Sequence, residues 1–129
     1  MVTDTLSVMP TIDPANLAST KVTPADESTR ALTADEAAGL AGGLDPAWHV
    51  DGDHLSREFR FPTFAAAFGL ATRIAMLAES QNHHPTMEIG WGRLWVTWST
   101  DAIAALSDND FVMAAKVDRL VARGLNLKD

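Results

Sequence analysis

The residues with the most chemistry in this chain lie in one short run, Glu79-Ser80-Gln81-Asn82-His83-His84-Pro85. Two imidazoles stand side by side, with a carboxylate about one helical turn upstream. Imidazole changes charge near neutral pH, so one ring can give a proton while another takes one. A structural reading stands beside this: the pair could serve a helix C-terminus, where the dipole favours histidine. Metal binding is disfavoured. Adjacent histidines project in different directions on regular structure. There is no His-Glu-x-x-His pattern, and His49 and His54 lie far back in the chain. A nucleophilic hydrolase is disfavoured too, because no Gly-x-Ser-x-Gly elbow is present, and there is no glycine-rich phosphate loop.

Composition narrows the classes further. The chain has 129 residues, 47% of them hydrophobic, and a net charge of -7. One modest domain plus a tail is expected. The four tryptophans and five phenylalanines supply area for self-association. No basic cluster is present, which argues against nucleic acid as a partner. The absence of cysteine removes disulfides, thiolate ligands and thiol nucleophiles together. The N-terminus lacks the pattern of a signal peptide. The most apolar window, residues 64–78, is too short and too polar to span a bilayer. A soluble, cytoplasmic protein with no membrane partner is expected.

The elements that must position the histidines can be read in order. Residues 1–30 are rich in Thr, Ser, Asp and Pro without apolar period, and a mobile tail is expected there; the domain is expected to span 31–129. Thr33 with Glu36 predicts a capping box at the start of a first helix, which Gly42-Gly43 stops. Asp51-Gly52 predicts a hairpin turn between Trp48-His49-Val50 and a strand over 54–61. On that strand Leu55, Arg57, Phe59 and Phe61 share one face. Arg57 is the odd member there: an edge residue with a packed stem, or a partner for a carboxylate.

Thr63 caps the main helix, with Phe64, Ala67, Phe68, Ala71, Ile74, Ala75 and Ala78 as its expected buried stripe. It runs to about Gln81, and Pro85 forces an exit. A short strand over 86–90, a turn at Trp91-Gly92 and a strand over 93–100 follow. In that last strand Leu94, Val96 and Trp98 share one face, and Trp95, Thr97 and Ser99 the other. Ser107 with Asp110 predicts a capped final helix ending at Gly124. The order α-β-β-α-β-β-α indicates an α+β fold, an antiparallel sheet with helices on one face.

Residues 32 to about 120 resemble the pterin-4a-carbinolamine dehydratases. The resemblance rests on Arg57-Glu58-Phe59-Arg60-Phe61, Phe64 with Ala67-Phe68, Ala78-Glu79 followed by His83-His84-Pro85, Trp91, and Ser99-Thr100 before Leu106-Ser107-Asp108-Asn109-Asp110. It implies a four-stranded sheet with three helices. It implies homodimers or homotetramers, and loss of water from a 4a-hydroxytetrahydropterin to give a quinonoid dihydropterin. No metal or other cofactor is implied. His83 and His84 take the places of two of three pocket histidines. Asp101 stands where the third is expected, so activity is expected to be weakened or altered. Glu79, Pro85 and Trp91 are the implied substrate contacts. Members of the superfamily that act as Rubisco assembly factors, or as partners of a transcription factor, imply the alternative of a non-catalytic protein-binding role.

Overall fold

The computed structural model describes residues 12–123. A 3-10 helix, Pro14–Ser19, leads into α1 (Ala34–Ala41), β1 (His49–Asp51), β2 (His54–Arg60), α2 (Phe64–Gln81), β3 (Thr86–Gly90), β4 (Arg93–Trp98), a 3-10 turn (Asp101–Ile103) and α3 (Asp108–Val121). The four strands form one antiparallel sheet in the order β1-β2-β4-β3. The expected α+β architecture and element order are therefore found.

Local signals account for most boundaries. Thr33 and Glu36 exchange both bonds of the capping box at α1. Gly52, at φ +62°, makes the β1–β2 turn. Gly92, at φ +70°, makes the β3–β4 turn, where a Cβ would lie 2.8 Å from the Phe61 carbonyl oxygen. The Thr63 side chain accepts from the Ala66 N–H at the start of α2. α3 ends at Val121, so the expected stop at Gly124 falls outside the described residues.

The core lies between the sheet and the helices. Leu55, Phe59, Leu94, Val96 and Trp98 point inward from the sheet, against Ala67, Leu70, Ala71, Ile74 and Ala78 of α2 and Phe111, Met113, Ala114 and Val117 of α3. The stripe of α2 is rotated from the one expected: Leu70 is buried, while Phe64 and Phe68 are about half exposed and stack on each other outside. Counting aromatics at helical spacing misplaced them, because the small residues Ala67, Ala71 and Ala78 are what let the helix approach the sheet closely.

The expected tail does not hold from residue 12 onward. Leu17 is 1% exposed and Val22 is buried in the core. Asn109 clamps the segment, accepting from the Thr23 N–H (3.1 Å) and donating to its carbonyl (2.8 Å). The Val22 N–H reaches Gln81 Oε1, and Lys116 Nζ donates to the Ala18 carbonyl. At Gly43 a Cβ would meet the Pro14 carbonyl oxygen at 2.3 Å, so the strap lies directly on backbone. Two well-placed apolar side chains and a side-chain clamp suffice where composition suggested disorder. The strap also explains why Val112, which a one-sided helix would leave outside, is buried: α3 is covered on two sides.

Arg57 pairs with a carboxylate. Its Nη1 lies 2.9 Å from Asp118 Oδ1, and its guanidinium sits 4.3 Å above the Phe59 ring. Trp48 Nε1 and the Asp45 N–H also donate to Asp118. This cluster ties α3 to the β1–β2 hairpin. Burial pushes the Asp118 carboxyl above the usual range, against the lowering effect of its hydrogen bonds to Asp45 and Trp48 and of Arg57.

Candidate active site

The end of α2 turns the two histidines apart. Asn82 closes the helix in the left-handed region at φ 55°, a conformation that asparagine tolerates. Its N–H and that of His83 both return to the Ala78 carbonyl. The chain leaves the helix axis within one residue, and Pro85 keeps His84 from helical geometry. His83 then goes into the protein and is 8% exposed. His84 stays outside.

Each imidazole meets a carboxylate. His84 Nε2 lies 2.6 Å from Glu79 Oε1, one helical turn back, and both side chains are exposed. His83 Nε2 lies 2.6 Å from Asp110 Oδ1 on α3, and Asp110 is fully buried. The carboxylate oxygens accept, so in each neutral ring the proton sits on Nε2 and the lone pair on Nδ1. The His83 ring is stacked on Trp98, with centroids 5.9 Å apart and planes 9° apart.

Asp110 is the hub of this corner. Its Oδ2 accepts from Thr100 Oγ1 (2.7 Å) and from the Ser107 N–H (2.9 Å). Thr100 Oγ1 also lies 2.7 Å from Ser107 Oγ. One carboxylate thus caps α3, fixes the end of β4 and orients His83. A buried acceptor with three donors is satisfied on every side. Sequence reasoning gave Asp110 a capping role and a place, with Thr100, in the family resemblance, but assigned none of Asp110, Thr100 and Trp98 a part in holding a histidine. The usable signal was Thr100: a hydroxyl at a strand end, seven residues before the cap, has a buried acceptor within reach once the loop closes.

That closure brings Asp101 to the same end of the sheet. Thr100 and Ala105 exchange backbone bonds, and residues 101–104 arch between them, with Ala104 at φ 49°. Asp101 is exposed on the arch. Pro85 is half-buried beside His84. Thr86 pairs with Thr97, so the histidines precede β3 at the end where β4 delivers Thr100. Glu79, His83, His84, Pro85 and Asp101 therefore share one corner.

Trp91 does not. It sits 75% exposed in the β3–β4 turn, at the opposite end of a five-residue strand. At the usual rise per residue that is roughly 16 Å away. It lines a separate shallow depression with Arg60, Phe61, Gly92 and Arg93. Among the described residues, no three His, Asp or Glu side chains come together as a metal ion would require, and no helix is long and apolar enough to cross a membrane.

The described structure is thus a helix-backed antiparallel sheet with carboxylate-held imidazoles at one end, groups of a kind that can exchange protons near neutral pH. Comparison with known proteins gives the family. The family model for pterin 4 alpha carbinolamine dehydratase matches residues 30–120, and the chain belongs to this family. A relative from Rubrobacter xylanophilus, provisionally named a pterin-4-alpha-carbinolamine dehydratase, is 44% identical over 107 residues, covering 82% of this chain and 99% of that one. One from Alkaliphilus metalliredigens with the same provisional name is 42% identical, over 81% of this chain and 95% of its own. A crystal structure from Brucella melitensis, described as a transcriptional coactivator/pterin dehydratase, superimposes with a TM-score of 0.66 at 31% identity, over 70% of this chain and 98% of that one.

Proposed function

We propose that this protein dehydrates a 4a-hydroxytetrahydropterin to the quinonoid dihydropterin. Family membership supports the reaction class. The observation that carries it to named residues is the meeting of His83–Asp110 and His84–Glu79 at one corner, each at 2.6 Å. The reaction needs one proton given and one taken. The departing hydroxyl receives a proton, the C4a–O bond breaks and water leaves. The ring nitrogen bonded to C4a loses its proton, and its N–H electron pair becomes the new C=N bond. No oxidant is involved.

The giving of a proton belongs to the His83–His84 pair, with Glu79 and Asp110 fixing the rings. Pro85 contributes a rigid wall to the pterin site. Asp101 lies on the rim. An ionised carboxylate only accepts, where an imidazole can both take and give a proton, so Asp101 weakens proton return at that position. The protein works as a homodimer or homotetramer, for which the exposed Phe64, Phe68 and Met76 on α2 supply apolar area.

The test is single-turnover dehydration of freshly generated 4a-hydroxytetrahydropterin, with the protein set against its Asp101→His variant. Both are expected to be active, the variant more so. Activity in the variant alone would mean a pocket disarmed at one position. Inactivity in both would overturn the dehydratase reading and turn attention to a protein-binding role, the Rubisco assembly factor included.

A further inference from the structure

The strap lies before the segment that the family model matches, which begins at residue 30, yet it runs up to the histidine corner. Two consecutive residues of it, Val22 and Thr23, reach the two sides of the His83–Asp110 pair. The Val22 N–H donates to Gln81 Oε1 at 3.4 Å, and Gln81 is the last residue of α2, two before His83. Thr23 is held at both of its backbone groups by the Asn109 side chain, at 3.1 and 2.8 Å. Asn109 directly precedes Asp110 in the first turn of α3.

This arrangement is a brace. The end of α2 and the start of α3 meet at the site through His83 Nε2 and Asp110 Oδ1, and helix ends are where helices fray first. Val22 and Thr23 join the two ends through main chain, in which consecutive Cα atoms stand a fixed distance of about 3.8 Å apart. The brace is itself anchored. Val22 and Leu17 are buried in the core, and Lys116 Nζ donates to the Ala18 carbonyl. Asn109 is buried as well, so its two amide bonds are sheltered from competing water. Proton transfer is sensitive to such support, because a shift of about 1 Å in a reacting group can cost about a hundredfold in rate.

We infer that Val22 and Thr23, held by Gln81 and Asn109, keep His83 seated on Asp110 and so position it for proton transfer. The catalytic half of this rests on the dehydratase reading; the seating of the ring does not. Gln81 and Asn109 are positioning residues. They act through the strap on a histidine that Asp110 orients, and they make the geometry of the site depend on a segment that precedes the matched domain.

The experiment compares the full chain with Asn109→Ala and Gln81→Ala, and uses Asp118→Asn as a control that loosens the far end of α3. Two readings are taken: exchange of the His83 Nε2 proton with water, by NMR, and kcat with KM for dehydration. In Asn109→Ala the proton is expected to exchange about tenfold faster, and kcat to fall about tenfold with KM little changed. Gln81→Ala is expected to move both readings the same way by less, since its bond to Val22 is the longer; it decides the matter if Asn109→Ala does not fold. Asp118→Asn is expected to lower the denaturation midpoint and leave both readings as they are. Unchanged exchange in the strap variants would overturn the inference, and so would equal changes in Asp118→Asn, which would mark a general loss of stability. Faster exchange with kcat unchanged would overturn the catalytic half and leave the dehydratase reading standing. An inactive wild type would overturn that reading, and proton exchange would still decide the seating of His83.

Discussion

At the scale of single residues, Asp110 matters most. It is fully buried and accepts from His83, Thr100 and Ser107. Its removal leaves His83 Nε2 and the Ser107 N–H without a partner, while Thr100 Oγ1 keeps only Ser107 Oγ, and each unsatisfied buried group costs about 1–3 kcal/mol. Asp110→Ala is therefore expected to lower unfolding stability by roughly 3 kcal/mol or more in chemical denaturation, and to cost activity through His83. Asp110→Asn keeps the shape but turns one acceptor into a donor facing other donors, so it is expected to lose nearly as much. Equal stability of Asp110→Asn and the wild type would show that the carboxylate has no role as the shared acceptor. His84 has no such backing. Glu79 holds it at the same distance, but in solvent.

At the scale of elements, the sequence was legible wherever one local rule decided. Thr33-x-x-Glu36, Asp51-Gly52, Thr63 and Pro85 each act within a few residues, and the helices and strands begin or end where they predict. Two readings failed for want of tertiary information. Phe64 and Phe68 have the spacing of a core stripe but lie outside it, because which face of α2 is buried depends on how closely its alanines let it sit on the sheet. The segment over 12–30 has the composition of a tail but is held by Asn109, 86 residues away from Thr23. Of the candidate site, His83, His84 and Glu79 were visible because they are neighbours in sequence. Their carboxylate and ring partners from α3 and β4 were not.

The tie between α3 and the hairpin has a pH signature. Burial raises the Asp118 carboxyl in the folded protein. A carboxyl raised on folding binds more protons in the native state than in the unfolded one. Its contribution to stability is therefore fully present below the unfolded value and is lost as pH rises through the folded value. Relative to Asp118→Asn, the wild type is expected to gain stability as pH is lowered from 7 towards 4, read as the difference between their denaturation midpoints. A difference that stays flat over that range would mean that Asp118 titrates alike in both states. The variant is also expected to be the less stable at acid pH, since Arg57 and Trp48 lose part of their acceptor.

At the scale of the whole molecule, the surface is uneven. One face of the sheet is covered by helices, while the other presents Trp95 under Arg93, at 4.8 Å. Phe64, Phe68 and Met76 form a further apolar row along α2. Rows of this kind mark contact surfaces more often than free ones. Phe68→Glu is expected to shift the protein to a smaller species in analytical ultracentrifugation without loss of helical content. An unchanged sedimentation coefficient would remove this row from the assembly.

The unequal shelter of the two paired histidines has a consequence for the site as a whole. Dissolved ions weaken an exposed pair over a Debye length of about 8 Å at physiological salt, and reach a buried one far less. The field at His84 is thus set partly by the medium, and the field at His83 by the fold. The corner holds two rings of the same chemical type on successive residues, one that registers the ionic composition around the protein and one that is insulated from it.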